Sequence, residues 1–154
     1  MMLVFLSGPI DAAPDCGLSW REGVIDKLRS RGYHTYSPAH AFFLSLVGDA
    51  MEVAQQVDAI NRLAIGQCDV VLAYLPKDYR TVGTPREIEY ARIIGKPVVA
   101  VIDPPNQHIA LWDVHRVASF DEALDWIEEL SRGAYAQGDD HRPGDSESPS
   151  EAWS

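Results

Sequence analysis

The residue on which chemistry would turn is Glu87, in the run Val82-Gly83-Thr84-Pro85-Arg86-Glu87. Two readings of it compete. Thr84, Pro85 and Glu87 make a well-formed helix start, with Thr as N-cap, Pro at the first helical position and Glu reaching back to the cap amide. In the other reading the carboxylate faces a ligand. The run lies between CDVVLAYL and GKPVVAVI, two apolar stretches that read as parallel strands covered on both faces. A helix starting there sits above the carboxyl end of the sheet, where open α/β folds place their ligands. Its free amides suit an anion, and Gly83 lets a ligand approach the backbone closely. A carboxylate at that place can attack, or stabilise, a cationic carbon. Glycosyl transfer needs such a group, because its transition state resembles an oxocarbenium ion.

The elements that must hold Glu87 there follow along the chain. Leu3 to Ser7 is an apolar strand closed by Gly8-Pro9. Ser19 to Arg31 has Trp20, Val24, Ile25 and Leu28 at helical spacing, a Ser19/Glu22 capping box and Gly32 at its end. His34 to Ser37 is a short strand ended by Pro38, and Ala39 to Ala50 reads as a loop with some helix. Val53 to Gln67 carries a helical stripe of Val53, Val57, Ile60, Ala64 and Ile65. Strand Val70 to Leu75, helix Pro85 to Ile94 with Gly95 as its cap, and strand Val98 to Ile102 follow. Val117 to Phe120 reads as a short fifth strand, and Asp121 to Arg132 as an amphipathic helix. Strands alternating with helices predict an α/β fold: a doubly wound, flavodoxin- or Rossmann-like parallel sheet of about five strands with helices on both faces.

The totals bound the rest. A chain of 154 residues is most simply one domain with a real core. Residues 1–132 form that domain; from Gly133 the composition turns to Gly, Ser, Pro and acid, which predicts a disordered acidic tail over 133–154. The formal net charge of -10 argues against binding nucleic acid polymers or an anionic membrane, without excluding a local basic pocket for a phosphate. Cys16 and Cys68 alone, with no CxxC, fit a reducing cytoplasm better than secretion. The apolar N-terminus MMLVFLSGPI is too short to span a membrane and reads as the first strand. The five histidines lack metal-ligand spacing, and neither a Walker motif nor GxGxxG occurs, so a reaction without cofactor or metal is expected.

Leu6-Ser7-Gly8-Pro9-Ile10, CDVVLAYL and GTPREIEYARIIGKPVV together resemble the nucleoside 2-deoxyribosyltransferase superfamily, which also contains nucleoside 5'-monophosphate N-glycosidases. The resemblance covers roughly residues 3 to 130. It implies that Glu87 is the nucleophile or key carboxylate at C1' of the sugar. It implies further that Ser7, Gly8, Pro9, Ile10 and Asp11 line the sugar and base pocket. Six residues before the glutamate the transferases carry an aspartate for the free 5'-hydroxyl, and the monophosphate hydrolases a serine at the 5'-phosphate. Thr81 stands there, beside Arg80, and a hydroxyl next to a guanidinium suits a phosphate. The amides near Gly83 and Thr84 would add to that grip. Eight residues before Asp69 the family has an aspartate, whereas this chain has Asn61. Either Asp58, three residues earlier on the same helix, substitutes, or Asn61 only hydrogen-bonds.

Softer candidates remain. Trp20 either stacks on a base or packs in the core, and His40 faces base or phosphate or lies on a surface loop. His115 and Arg116 fall in the segment through which family members complete a neighbouring subunit's site, which implies a homodimer or higher homo-oligomer. The expected activity is N-glycosidic cleavage of a (deoxy)nucleoside 5'-monophosphate, with a small nucleotide or nucleoside as partner. The alternatives are a deoxyribosyltransferase exchanging bases, and a catalytically weak nucleotide-binding module suggested by Asn61.

Overall fold

The computed structural model describes residues 1–10, 13–41, 48–77, 83–103 and 113–138. Five strands and five helices follow one another: β1 (Leu3–Ser7), α1 (Leu18–Ser30), β2 (His34–Tyr36), α2 (Pro38–Ala41), α3 (Ala50–Gln67), β3 (Val70–Pro76), α4 (Gly83–Ile93), β4 (Val98–Asp103), β5 (His115–Val117) and α5 (Phe120–Gly138). All sheet pairings are parallel, in the order β2-β1-β3-β4-β5. The chain steps outward from β1 to β2, then returns past β1 to β3. The order therefore reverses between β1 and β3, and the crevice of such a sheet opens at the carboxyl ends of that pair.

Alternation along the strands divides the core into two layers. Val4, Leu6, Val70, Leu72, Val99 and Val101 pack on one face with α1 and α5, through Val24, Leu28, Leu124 and Ile127. Phe5, Val71, Ala73, Val98, Ala100 and Ile102 pack on the other with α3 and α4, through Ile65, Ile88 and Ala91. These strands are buried on both faces, which is why they carry no polar alternation. Ser7 falls in step with Phe5, so its side chain belongs to the α3/α4 face.

The helix starts differ from expectation in instructive ways. Glu22 does not close a capping box on Ser19. Gly17, in the left-handed region at φ 71, is the N-cap of α1, and no side chain caps it. Asp15 instead accepts from the Gly17 and Ser19 amides at 3.0 and 2.9 Å and from the Ser19 hydroxyl. Helix α3 begins at Ala50 rather than Val53, because Asp49 and Glu52 form a full capping box there. Its buried face holds Asn61 and Ile65, while Ile60, expected in the stripe, is 38% exposed.

Other boundaries shift too. The fifth strand is His115–Val117, paired to Val99–Val101, and Phe120 belongs to α5. That helix continues to Gly138, past the expected end at Arg132. Gly32 and Gly95 do follow α1 and α4 with positive φ, as their capping role requires. Among the described residues no helix is long and apolar enough to cross a membrane.

Candidate active site

Three elements converge on Glu87. It lies in the first turns of α4, but its carboxylate does not reach back to the helix's own amides. Oε2 accepts from the Ser7 hydroxyl at the end of β1, and Oε1 accepts from Asn61 Nδ2 on α3 at 3.0 Å. Ser7 and Asn61 are buried, at 0% and 6% exposure. Sheet alternation aims Ser7 at this face, and burial of the Asn61 side of α3 brings the amide under α4. Among the described residues these two donors hold the carboxylate in one orientation and leave part of each oxygen's acceptor capacity unused.

Burial pushes the Glu87 carboxyl up to about 7, against the opposing pull of the Ser7 bond, the Arg21 charge and the Asn61 bond; the Asp58 charge adds to the rise. A group held near neutrality by desolvation, at a sheet's switch point, has the signature of a functional acid or nucleophile rather than of a helix cap. Asn61 Oδ1 is buried with no hydrogen-bond partner among the described residues. With Nδ2 on Glu87, that oxygen is an acceptor in need of a donor.

Asp58 and Asn61 occupy different surroundings. Asp58 is ion-paired to Arg62 at 3.0 Å and to Arg86 at 3.3 Å, tying α3 to the start of α4. Its charge is felt by Glu87, yet Asn61 holds the direct contact. Among the described residues a Cβ at Gly83 would meet only Glu87 Oε1, at 3.9 Å. Thr84 is buried in the first turn, 1% exposed. Asp11, Arg80 and Thr81 lie outside the described residues.

Two participants escaped the sequence reading. Arg21 is fully buried, with Nη1 donating to the carbonyls of Gly17 at 2.9 Å and Pro9 at 3.2 Å, and Nη2 donating to that of Gly8 at 2.9 Å. Burial pushes its guanidinium down to about 10, opposed by the charges of Glu87 and Asp15. The signal was present: position 21 precedes Val24, Ile25 and Leu28 on the buried face of α1, and a charge on an apolar stripe asks for a reason. The second is Tyr36, which ends β2 stacked on Phe5 at 5.6 Å. Burial raises its phenol, and the nearby Cys68 and Glu87 charges add to that rise.

The remaining candidates sit elsewhere. Trp20 stacks on Phe120, tilts against Tyr74 and carries the Arg21 guanidinium 4.5 Å from its ring centre. Its ring is engaged by protein and packs against the α1/α5 layer. A Cβ at Gly8 would collide with that ring, so Gly8 is needed for the floor beneath Pro9 and Ile10. His40 Nδ1 lies 2.7 Å from Ser37 Oγ and Nε2 4.0 Å from Glu22, beside a cavity of about 410 Å³ between α1 and β2. His115 stacks on Trp126 at 5.0 Å, and with Arg116 it lines an open groove of about 710 Å³ at the β5 edge. That groove is the larger, and Glu122, Asp125 and Glu129 also line it. Glu87 is the candidate on which two donors from other elements converge. Among the described residues no cluster of His, Cys, Asp or Glu is arranged to hold a metal.

The comparisons with known proteins agree with this geometry. No curated protein matches the sequence. Among solved structures, a 2-deoxyribosyltransferase from the psychrotolerant bacterium Bacillus psychrosaccharolyticus is similar over 79% of this chain and 90% of its own, at 18% identity and TM-score 0.64. A conserved protein from Enterococcus faecalis V583 is similar over 84% of this chain and 99% of its own, at 19% identity and TM-score 0.61. The CMP N-glycosidase BcmB of Clostridium botulinum is similar over 82% of this chain and 98% of its own, at 22% identity and TM-score 0.55. At such identities these likenesses establish the α/β fold. The sequence itself matches the family described as nucleoside 2-deoxyribosyltransferase over residues 4–142. With that match spanning nearly the whole chain, the protein belongs to the nucleoside 2-deoxyribosyltransferase family and is an enzyme of nucleoside glycosidic chemistry.

Proposed function

We propose that the protein cleaves the N-glycosidic bond of a (deoxy)nucleoside 5'-monophosphate, releasing free base and sugar 5-phosphate. The observation that carries this reading is the Glu87 carboxylate, half-buried and held by Ser7 and Asn61 at the sheet's switch point. In its ionised form Glu87 attacks C1', or stabilises the cationic carbon, as the bond to the base breaks and its electron pair leaves with the base nitrogen. Water then bonds to C1' through its oxygen, breaking the Glu87–C1' bond where one has formed, and the proton it loses goes to the nitrogen of the departed base. Ser7 and Asn61 keep the carboxylate in one orientation through both steps.

Asn61 orients and does not protonate, since an amide has no proton to yield at neutral pH. Its Oδ1, which has no partner among the described residues, is available to a donor on the substrate. Phosphate selection rests on Thr81 and Arg80 and on the amides near Gly83 and Thr84, and so on sequence alone. The amino-terminal turn of α4 supports it, because free helix amides favour an anion.

Base release from a panel of nucleosides and their 5'-monophosphates, wild type against Glu87→Ala, tests the reading. Faster release from monophosphates, lost in the variant, is expected. Unchanged turnover in Glu87→Ala ends the mechanism. Preference for unphosphorylated nucleosides, with turnover that requires an acceptor base, would select base exchange instead.

A further inference from the structure

Arg21 is the largest fully buried charged side chain among the described residues. Among them no carboxylate pairs with it directly; its acceptors are the backbone carbonyls of Gly8, Pro9 and Gly17, and its Nε has no partner there. A buried guanidinium held only by carbonyls is costly relative to an apolar side chain of similar size. A leucine or methionine would simply extend the stripe of Val24, Ile25 and Leu28. The charge therefore calls for a role beyond packing.

We propose that Arg21 is a positioning residue for the Glu87 site: it locks the turn after β1 into one shape and so keeps the Ser7 hydroxyl on the Glu87 carboxylate. The turn begins directly after Ser7, so tying the Gly8 and Pro9 carbonyls to α1 holds the Ser7 hydroxyl against Glu87. Close packing enforces the arrangement. Gly17 has φ +71, and a Cβ there would run into the Pro9 carbonyl and the Arg21 guanidinium. The two charges also act on each other across the sheet end, each favouring the other's ionised state.

The proposal rests on Glu87 being the reactive carboxylate, but its main test needs no turnover. In protein carrying 13C-labelled glutamate carboxyls, the Glu87 signal, assigned by its loss in Glu87→Gln, is followed against pH. Arg21→Met, which continues the apolar stripe, removes the charge; Arg21→Gln is the second neutral variant should the first fold poorly. We expect the Glu87 midpoint to rise by about half a pH unit or more in a neutral variant. Arg21→Lys, which keeps the charge and loses the carbonyl ties, should shift the same way, because the Ser7 bond that favours the ionised carboxylate is loosened. A folded variant whose Glu87 titrates as in wild type overturns the proposal. With substrate, Arg21→Lys should lower kcat about tenfold with little change in KM, because the carbonyl ties are lost; an unchanged kcat also counts against it. If wild type releases no base at all, the proposed function fails while the titration still decides the role of Arg21.

Discussion

At the start of α5, Ser119 and Glu122 close on each other: Glu122 Oε2 accepts from the Ala118 and Ser119 amides at 2.9 and 3.0 Å, and the Glu122 amide donates to Ser119 Oγ at 3.2 Å. Asp49 and Glu52 do the same for α3. At the start of α4, Thr84 and Glu87 stand at the same spacing, yet Glu87 turns to Ser7, 80 residues away, and to Asn61. The local pattern is shared and the destination differs. A capping glutamate lies at the surface and holds its own helix. Glu87 gives up that role, enters a desolvated place and is held by other elements, which a purely structural residue gains nothing from.

Substitutions at the two glutamates can break this contrast. Glu87→Gln should lower base release by about three orders of magnitude or more, measured as kcat on the best substrate of the panel. Glu122→Gln should leave kcat near wild type; a comparable loss there would dissolve the distinction. Removing one donor is expected to matter less. Ser7→Ala should lower kcat about 10- to 100-fold and move the rate's pH midpoint upward, since a bond favouring the ionised carboxylate is lost. In wild type the rate should rise with pH through about 7 as Glu87 ionises.

Stability gives the opposite signs. Folded Glu87 holds its proton up to about 7, while in the unfolded chain the group titrates near 4.5. The fold therefore binds more protons between these values and loses stability as pH rises through that window; below it the penalty is absent. At pH 8 Glu87→Gln should be more stable than wild type by on the order of 2 kcal/mol, and at pH 4 by much less. Denaturant midpoints at the two pH values check this, and equal differences at both would show that burial does not hold the proton. Smallest of all, Glu122→Ala should destabilise by about 1 kcal/mol through the lost cap.

How much was legible in the sequence follows from the range of each interaction. The central strands could be read because burial on both faces writes an uninterrupted apolar run, as in Val70 to Leu75. Strand β5 is a three-residue edge, His-Arg-Val, without such a run, so it was placed two residues late. Glu87 could be picked out by position, but its partners could not be read from local spacing. Asn61 and Ser7 meet it only through the sheet order. Arg21 was passed over because helical periodicity was scored on apolar residues, and its charge hid its membership of the buried stripe. Trp20 illustrates the converse: residue type leaves a base platform and core packing both open, and the rings that surround it, Phe120 and Tyr74, are distant in sequence.

The separation of Ser7 from Glu87 has a consequence for how the protein is made. Contacts between residues so far apart close late, because a long stretch of chain must be ordered before they form. Here β1 must find its place between β2 and β3, and α4 must then dock over that pair. A nascent chain that has emerged only through β2 holds Ser7 and Arg21 but lacks both Asn61 and Glu87. The proton held by Glu87 is thus a marker of completed assembly: in refolding, its elevated titration should return only when the β1–β3 pairing does.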